Sequence, residues 1–166
     1  MKKLSVLFAA GMMFMAVGVA KAQKIASLDV TAVLNVMPEK VKLDQQMKTL
    51  SDAKKAELDK KRTSAQQLFE KYQKEAPTQT QQINEQRNAE LDKLQNNLQQ
   101  EAMAGEKDLR DKYEAGLTPI EKKIQEAISK VAKAKAYDFI VDSTVFVYKG
   151  GPDATEDVKK ELGIKQ

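Results

Sequence analysis

The reactive side chains that are missing set the first limit. The 166 residues contain no Cys, no His and no Trp. That removes thiolate nucleophiles, thiolate metal sites, disulfides and any imidazole base or pH switch. Carboxylate, Lys, Ser/Thr and Tyr chemistry remains. The best-spaced pair is Asp138 and Asp142, flanking Phe-Ile-Val. Two carboxylates four apart on a strand share a face. That spacing suits a metal or an acid–base pair, and equally suits solvated strand ends. Ser143 and Thr144 have no base beside them in the sequence. Gly150-Gly151-Pro152 leads to no helix carrying Lys-Ser/Thr, so it reads as a turn and not a phosphate loop. The Gln/Asn run between 79 and 100 reads as a solvated helix face. No catalytic residue, cofactor or metal is expected, and an enzyme is not.

The elements that must hold these residues begin after a leader. Lys2 and Lys3 precede an apolar run, Leu4 to Val19, and then Ala20-Lys21-Ala22. This is the pattern of a signal peptide, residues 1–22, cleaved after Ala22. The run is shorter than the roughly 20 residues of a membrane anchor. The mature chain is expected to be exported, soluble and periplasmic. The leader carries three Lys and no acid, so the mature chain holds 25 basic and 24 acidic residues, net +1. That balance supports neither nucleic-acid binding nor membrane association.

Residues 24–30 read as a strand, with Ala26, Leu28 and Val30 on one face. Thr31 to Met37 reads as one or two helical turns ended by Pro38. From 39 to 114 the composition turns to Lys, Glu, Gln, Asp, Ala and Leu, interrupted only by Gly105 and by Pro77 at the midpoint. Two matched helices folded at 76–78 are expected, each about 55 Å long at about 1.5 Å per residue. Pairs such as Glu57–Lys61 and Asp108–Lys112 support the exposed faces. The apolar stripe is thin, running through Leu43, Met47, Leu50, Leu58, Ala65, Phe69 and Tyr72, then Ile83, Leu91, Leu94, Leu98, Leu109 and Tyr113. A stripe of this width covers one neighbouring helix. Residues 39–76 carry net +3 and residues 78–114 net −3. A fold centred on Pro77 would set Lys60, Lys61 and Arg62 near Glu90 and Asp92, Ala65 near Ala89, and Tyr72 near Ile83.

After Tyr113, Gly116 is expected to loosen the helix and Pro119 to restart it. Ile120, Ile124, Ile128 and Val131 form a strong apolar face. Asp138–Asp142 and Val145–Lys149 read as strands joined by a turn at Ser143-Thr144. Asp153 or Thr155 is expected to cap a last short helix. The body, 23–38 and 115–166, has fewer than 70 residues and no staples. Oligomerisation is the remaining way to stabilise a core that small.

The strand Lys24–Val30, the helix ending in Pro38, the long charged hairpin, Tyr137–Asp142, Val145–Tyr148, and Asp153, Thr155, Val158 and Leu162 occur in that order. The chain in this respect resembles the Skp (OmpH-like) family of periplasmic chaperones. The resemblance implies an α+β fold: a small β body, three short strands per chain, carrying a long antiparallel coiled-coil hairpin in a jellyfish-like homotrimer. It implies an ATP-independent holdase that keeps unfolded outer-membrane proteins from aggregating in a cavity between the arms. Many family members are strongly basic, whereas this mature chain is nearly neutral. Leu68, Phe69, Tyr72 and Ile83 at the arm tip are the candidate client contacts. Ile25, Leu28, Phe139, Ile140, Val141, Val145 and Val147 are the candidates for the oligomer body. The competing reading is a periplasmic coiled-coil scaffold for one folded partner.

Overall fold

A computed structural model describes residues 22–164. The expected signal peptide, Ala22 apart, lies outside the described residues. A short strand, β1 (Ile25–Leu28), leads into one turn of helix, α1 (Val30–Leu34). Two long helices follow, α2 (Pro38–Glu75) and α3 (Gln81–Lys135), joined by a 3-10 turn (Ala76–Thr78). The chain returns through β2 (Phe139–Asp142), a second 3-10 turn (Ser143–Val145) and α4 (Thr155–Glu161). Among the described residues no helix is long and apolar enough to cross a membrane.

Local chemistry explains most boundaries. Asp29 caps α1, its carboxylate accepting the Ala32 N–H at 2.8 Å. Pro38 opens α2, where its missing N–H is no loss. The Thr80 hydroxyl accepts the Ile83 N–H at the start of α3. At the other end of α3, Ala136 turns left-handed at φ 53°. There the Tyr137 N–H reaches the Ala132 carbonyl at 2.9 Å and the Ala136 N–H reaches that of Lys133 at 3.3 Å, a Schellman closure without its usual glycine.

Three expectations are corrected. Gly116 and Pro119 do not interrupt the helix; α3 runs through both. An interior proline costs about 3 kcal/mol, and packing outweighs it. Ile120 and Ile124 are buried beyond the proline, and Leu43 rests on Gly116 before it. Residues 145–149 form no strand, so the described residues hold two strands and no hairpin at Ser143-Thr144. The alternating apolar residues are there, but the segment follows a 3-10 turn and does not pair with the open outer edge of β2. The helix α4 has Ala154 at its N-cap position. Asp153 still accepts the Thr155 N–H at 2.8 Å, and the Thr155 hydroxyl accepts the Asp29 N–H at 2.9 Å, tying α4 to the end of β1.

β1 and β2 pair in parallel, Ile25 opposite Phe139 and Leu28 opposite Asp142. Parallel strands need a long crossover, and here the whole helical hairpin is that crossover. The other side of β1 is taken by the 152–154 segment, through Ser27 N–H to Pro152 O at 2.9 Å and Ala154 N–H to Ser27 O at 2.8 Å. The core lies beneath this sheet: Leu28, Val33, Met37, Ile120, Ile124 and Val158 are almost wholly buried.

Candidate functional site

Two surfaces stand apart from this core: the helical arms and the open face of the sheet. The arms differ along their length. At the root, Leu43 sits so close to Gly116 that a Cβ there would lie 2.5 Å from its Cδ1. Lys40 is buried, with its ammonium on the Asp44 carboxylate at 2.6 Å and 5.6 Å from the centre of the Tyr113 ring. The hydrogen bonds to Asp44 and then to Tyr113 raise the Lys40 pKa, against the opposite pull of burial. Lys123 bridges to Glu39 at 2.6 Å beside them.

Farther out, Lys54 meets Asp108 at 2.9 Å and Lys61 meets Glu101 at 2.7 Å. The opposite charges of the two arms therefore do meet, but in another register. Lys61 lies against Glu101 instead of Glu90 or Asp92, a slip of about two helical turns. Ala65 shares a groove with Leu94, Asn97 and Leu98, not with Ala89. Tyr72 donates its hydroxyl to Glu90 at 2.7 Å instead of packing on Ile83. The 3-10 turn, the extended Gln79 and the Thr80 cap place the bend beyond Pro77.

At the tip, Arg87 stacks 4.4 Å from the centre of the Tyr72 ring and bonds Glu75 at 2.5 Å. Asn84 donates its side-chain amide to the Ala76 carbonyl at 3.0 Å. The bond to Glu90 pushes the Tyr72 phenol pKa up. The four tip candidates are thus divided. Leu68 and Tyr72 are half-buried on the inter-arm seam, whereas Phe69 and Ile83 are exposed, 46% and 37%.

The body candidates divide as well. Leu28 is core, and Ile140 packs against the core. Val141 is half-buried. Ile25, Phe139, Val145 and Val147 are exposed, Val147 completely, and Tyr148 beside them is 85% exposed. Ile25 and Phe139 sit opposite each other on the paired strands, and Val145, Val147 and Tyr148 follow the second 3-10 turn. Among the described residues the outer edge of β2 has no strand beside it.

The chemical candidates serve the backbone. Asp138 accepts the Lys24 N–H at 2.7 Å. Asp142 accepts the N–H and hydroxyl of Thr144 at 2.9 and 2.8 Å. The two carboxylates therefore hold separate turns. Pro152 closes against β1. Among the described residues no group of three or more His, Cys, Asp or Glu is placed to hold a metal. Lys40 and Arg87 were not singled out from the sequence; nothing in a Lys-rich helix marks one Lys as buried.

A small α+β body with a long antiparallel helical hairpin as its crossover is the class this architecture defines. A profile of the outer membrane protein (OmpH-like) family matches residues 24–162. The chain belongs to that family. It is 24% identical over 142 residues to the chaperone protein Skp of Pectobacterium atrosepticum, covering 85% of this chain and 86% of that one. Its fold matches a crystal structure of a putative outer membrane chaperone (OmpH-like) from Caulobacter crescentus, with a TM-score of 0.74 at 19% identity. That match covers 85% of this chain and 84% of the other.

Proposed function

We propose that the mature chain is a periplasmic, ATP-independent holdase that shelters unfolded outer-membrane proteins between the arms of a homotrimer. Membership of the OmpH-like family supports a chaperone role. The observation that carries the mechanism is the division of apolar surface. The body keeps a closed core but leaves Ile25, Phe139, Val145, Val147 and Tyr148 exposed outside it, and among the described residues one edge of β2 carries no strand. A monomer rarely leaves such a patch and edge open; further copies of the chain are the occupant. The arms are polar, with single exposed apolar side chains at Val41, Phe69, Ile83 and Met103. Scattered weak contacts suit a disordered partner, which has no fixed geometry to match. Binding the unfolded state withdraws it from aggregation by mass action, without chemistry.

The test shortens both arms in the observed register. Lys61 and Glu101 face each other, so deleting residues 62–100 and closing with a short glycine turn keeps the remaining seam aligned. The shortened protein should keep the mass of the full assembly by light scattering. It should lose most of its ability to suppress turbidity when an outer-membrane β-barrel protein is diluted from urea. Equal protection by the short form would reject the arm mechanism and favour the scaffold.

A further inference from the structure

The arm hairpin is held at its ends by close packing and interlocked side chains, and in its middle by half-covered leucines and two ion pairs. The root has Leu43 seated on Gly116 and the buried Lys40 held between Asp44 and the Tyr113 ring. The tip has Tyr72–Glu90, Arg87–Glu75 and Asn84–Ala76. Between them two open grooves separate the helices, about 690 Å³ around Leu58 and Leu109 and about 430 Å³ around Leu68 and Leu98. The residues facing these grooves include Ala65, Ala102 and Gly105. Small side chains make poor knobs, and missing atoms forfeit contact energy. Beyond the half-buried leucines, Lys54–Asp108 and Lys61–Glu101 span the gap, and partly exposed ion pairs contribute little.

We propose that the hairpin opens in its middle while root and tip stay closed, parting residues 51–68 from 94–109. The opened segment presents Leu58, Leu68, Leu94, Leu98 and Leu109, which the closed seam keeps half-covered. A polar arm thereby gains apolar surface without a standing patch. The opening is a property of the hairpin alone; its use for clients rests on the chaperone reading above.

Amide hydrogen exchange along the full mature chain tests this, because exchange reports local opening. A hairpin that merely frays exchanges faster with distance from the root. Middle opening instead puts the fastest arm amides at 51–68 and 94–109, with slower ones at both root and tip. A steady rise to the tip, or a middle as slow as the tip, overturns the proposal. Gly105→Ala places a methyl only 3.9 Å from Lys54 Cδ, an ordinary contact. Removing a helix-interior glycine should slow the middle amides about two- to fivefold and leave the tip unchanged. Tyr72→Phe should do the reverse, speeding the tip alone. An unfolded outer-membrane β-barrel protein should protect the middle amides when bound. If the middle is fast yet aggregation is not suppressed, the opening stands and the chaperone reading falls.

Discussion

Body and arms are built from the same chain by opposite means. The body buries large aliphatic side chains to a few per cent exposure under a sheet of two short strands. Along the arms, beyond the root, no apolar residue is fully buried, and the seam is a single file of half-covered leucines crossed by ion pairs. One region gains stability from packing and accepts unsatisfied outer edges. The other gives up packing and keeps a surface that is polar apart from single side chains such as Phe69, Ile83 and Met103. Under the holdase function proposed above, a body of one shape would carry an arm able to tolerate many partners.

The sharpest way to break this contrast is in the core. Leu28 is 1% exposed. Leu28→Asp places an unpaired charge where nothing answers it, and the body should not fold. Leu28→Ala should cost about 3.5 kcal/mol, the middle of the range for a fully buried leucine. The same deletion on the arm, Leu98→Ala, removes a half-covered side chain and should cost about 1 kcal/mol. Urea unfolding of both variants, followed by circular dichroism, checks the ratio. Equal losses would mean that the arm seam is as tightly packed as the core.

The outward side of the body separates folding from assembly. Val147 is completely exposed. Val147→Asp should leave the body folded and reduce the mass of the assembly seen by light scattering at micromolar concentration. Unchanged mass would place the subunit contact elsewhere on the body.

The border between the two regions gives a smaller effect of mixed sign. Gly116→Ala improves helix propensity by about 1 kcal/mol, but its Cβ would meet Leu43 Cδ1 at 2.5 Å. The substitution alone should be neutral to destabilising, whereas in a Leu43→Ala background it should stabilise by about 1 kcal/mol. A double-mutant cycle reads this coupling directly, and additivity would show that Leu43 is free to move aside.

How much of this was legible varies with the physics involved. The two arms, β1, β2 and the Ile120–Val131 face follow from periodicity, because each has one clear neighbour to bury against. The register did not, because a thin stripe of leucines allows several alignments. The deciding contacts, Tyr72–Glu90 and Arg87–Glu75, depend on where the turn ends. Gly116 and Pro119 read as a break since local propensity argues for one; the packing of Leu43 and Ile120 overrides it. Val145–Lys149 has the composition of a strand, but composition does not decide pairing, and the segment leaves the open edge of β2 unpaired. The roles of Leu28 and Val147, inward and outward, were likewise invisible before the fold placed them.

The smallest expected difference between arm and body lies in how their carboxylates are held. In the arm, Lys112 and then Lys54 lower the Asp108 pKa, and Lys123 at the root lowers that of Glu39. In the body, Thr144 lowers Asp142, and Thr155 lowers Asp153, both through hydroxyl and backbone N–H donors. All four folded pKa values lie below their unfolded values. Their stabilisation is therefore fully present above the unfolded carboxylate range, at about pH 5 and higher, and is lost as pH falls through the lowered folded pKa values. With no His in the chain, stability should stay level between about pH 5 and 8. Salt then separates the two regions. The arm pairs are charge on charge and exposed, so raising ionic strength to about 1 M, where the Debye length is about 3 Å, should erase most of the penalty of Asp108→Asn. The penalty of Asp153→Asn should persist, because its principal partners are neutral. Thermal melts of both variants at pH 6, in low and high salt, measure the difference. Equal salt sensitivity would show that charge on Lys149 or Lys159, and not Thr155, is what holds Asp153.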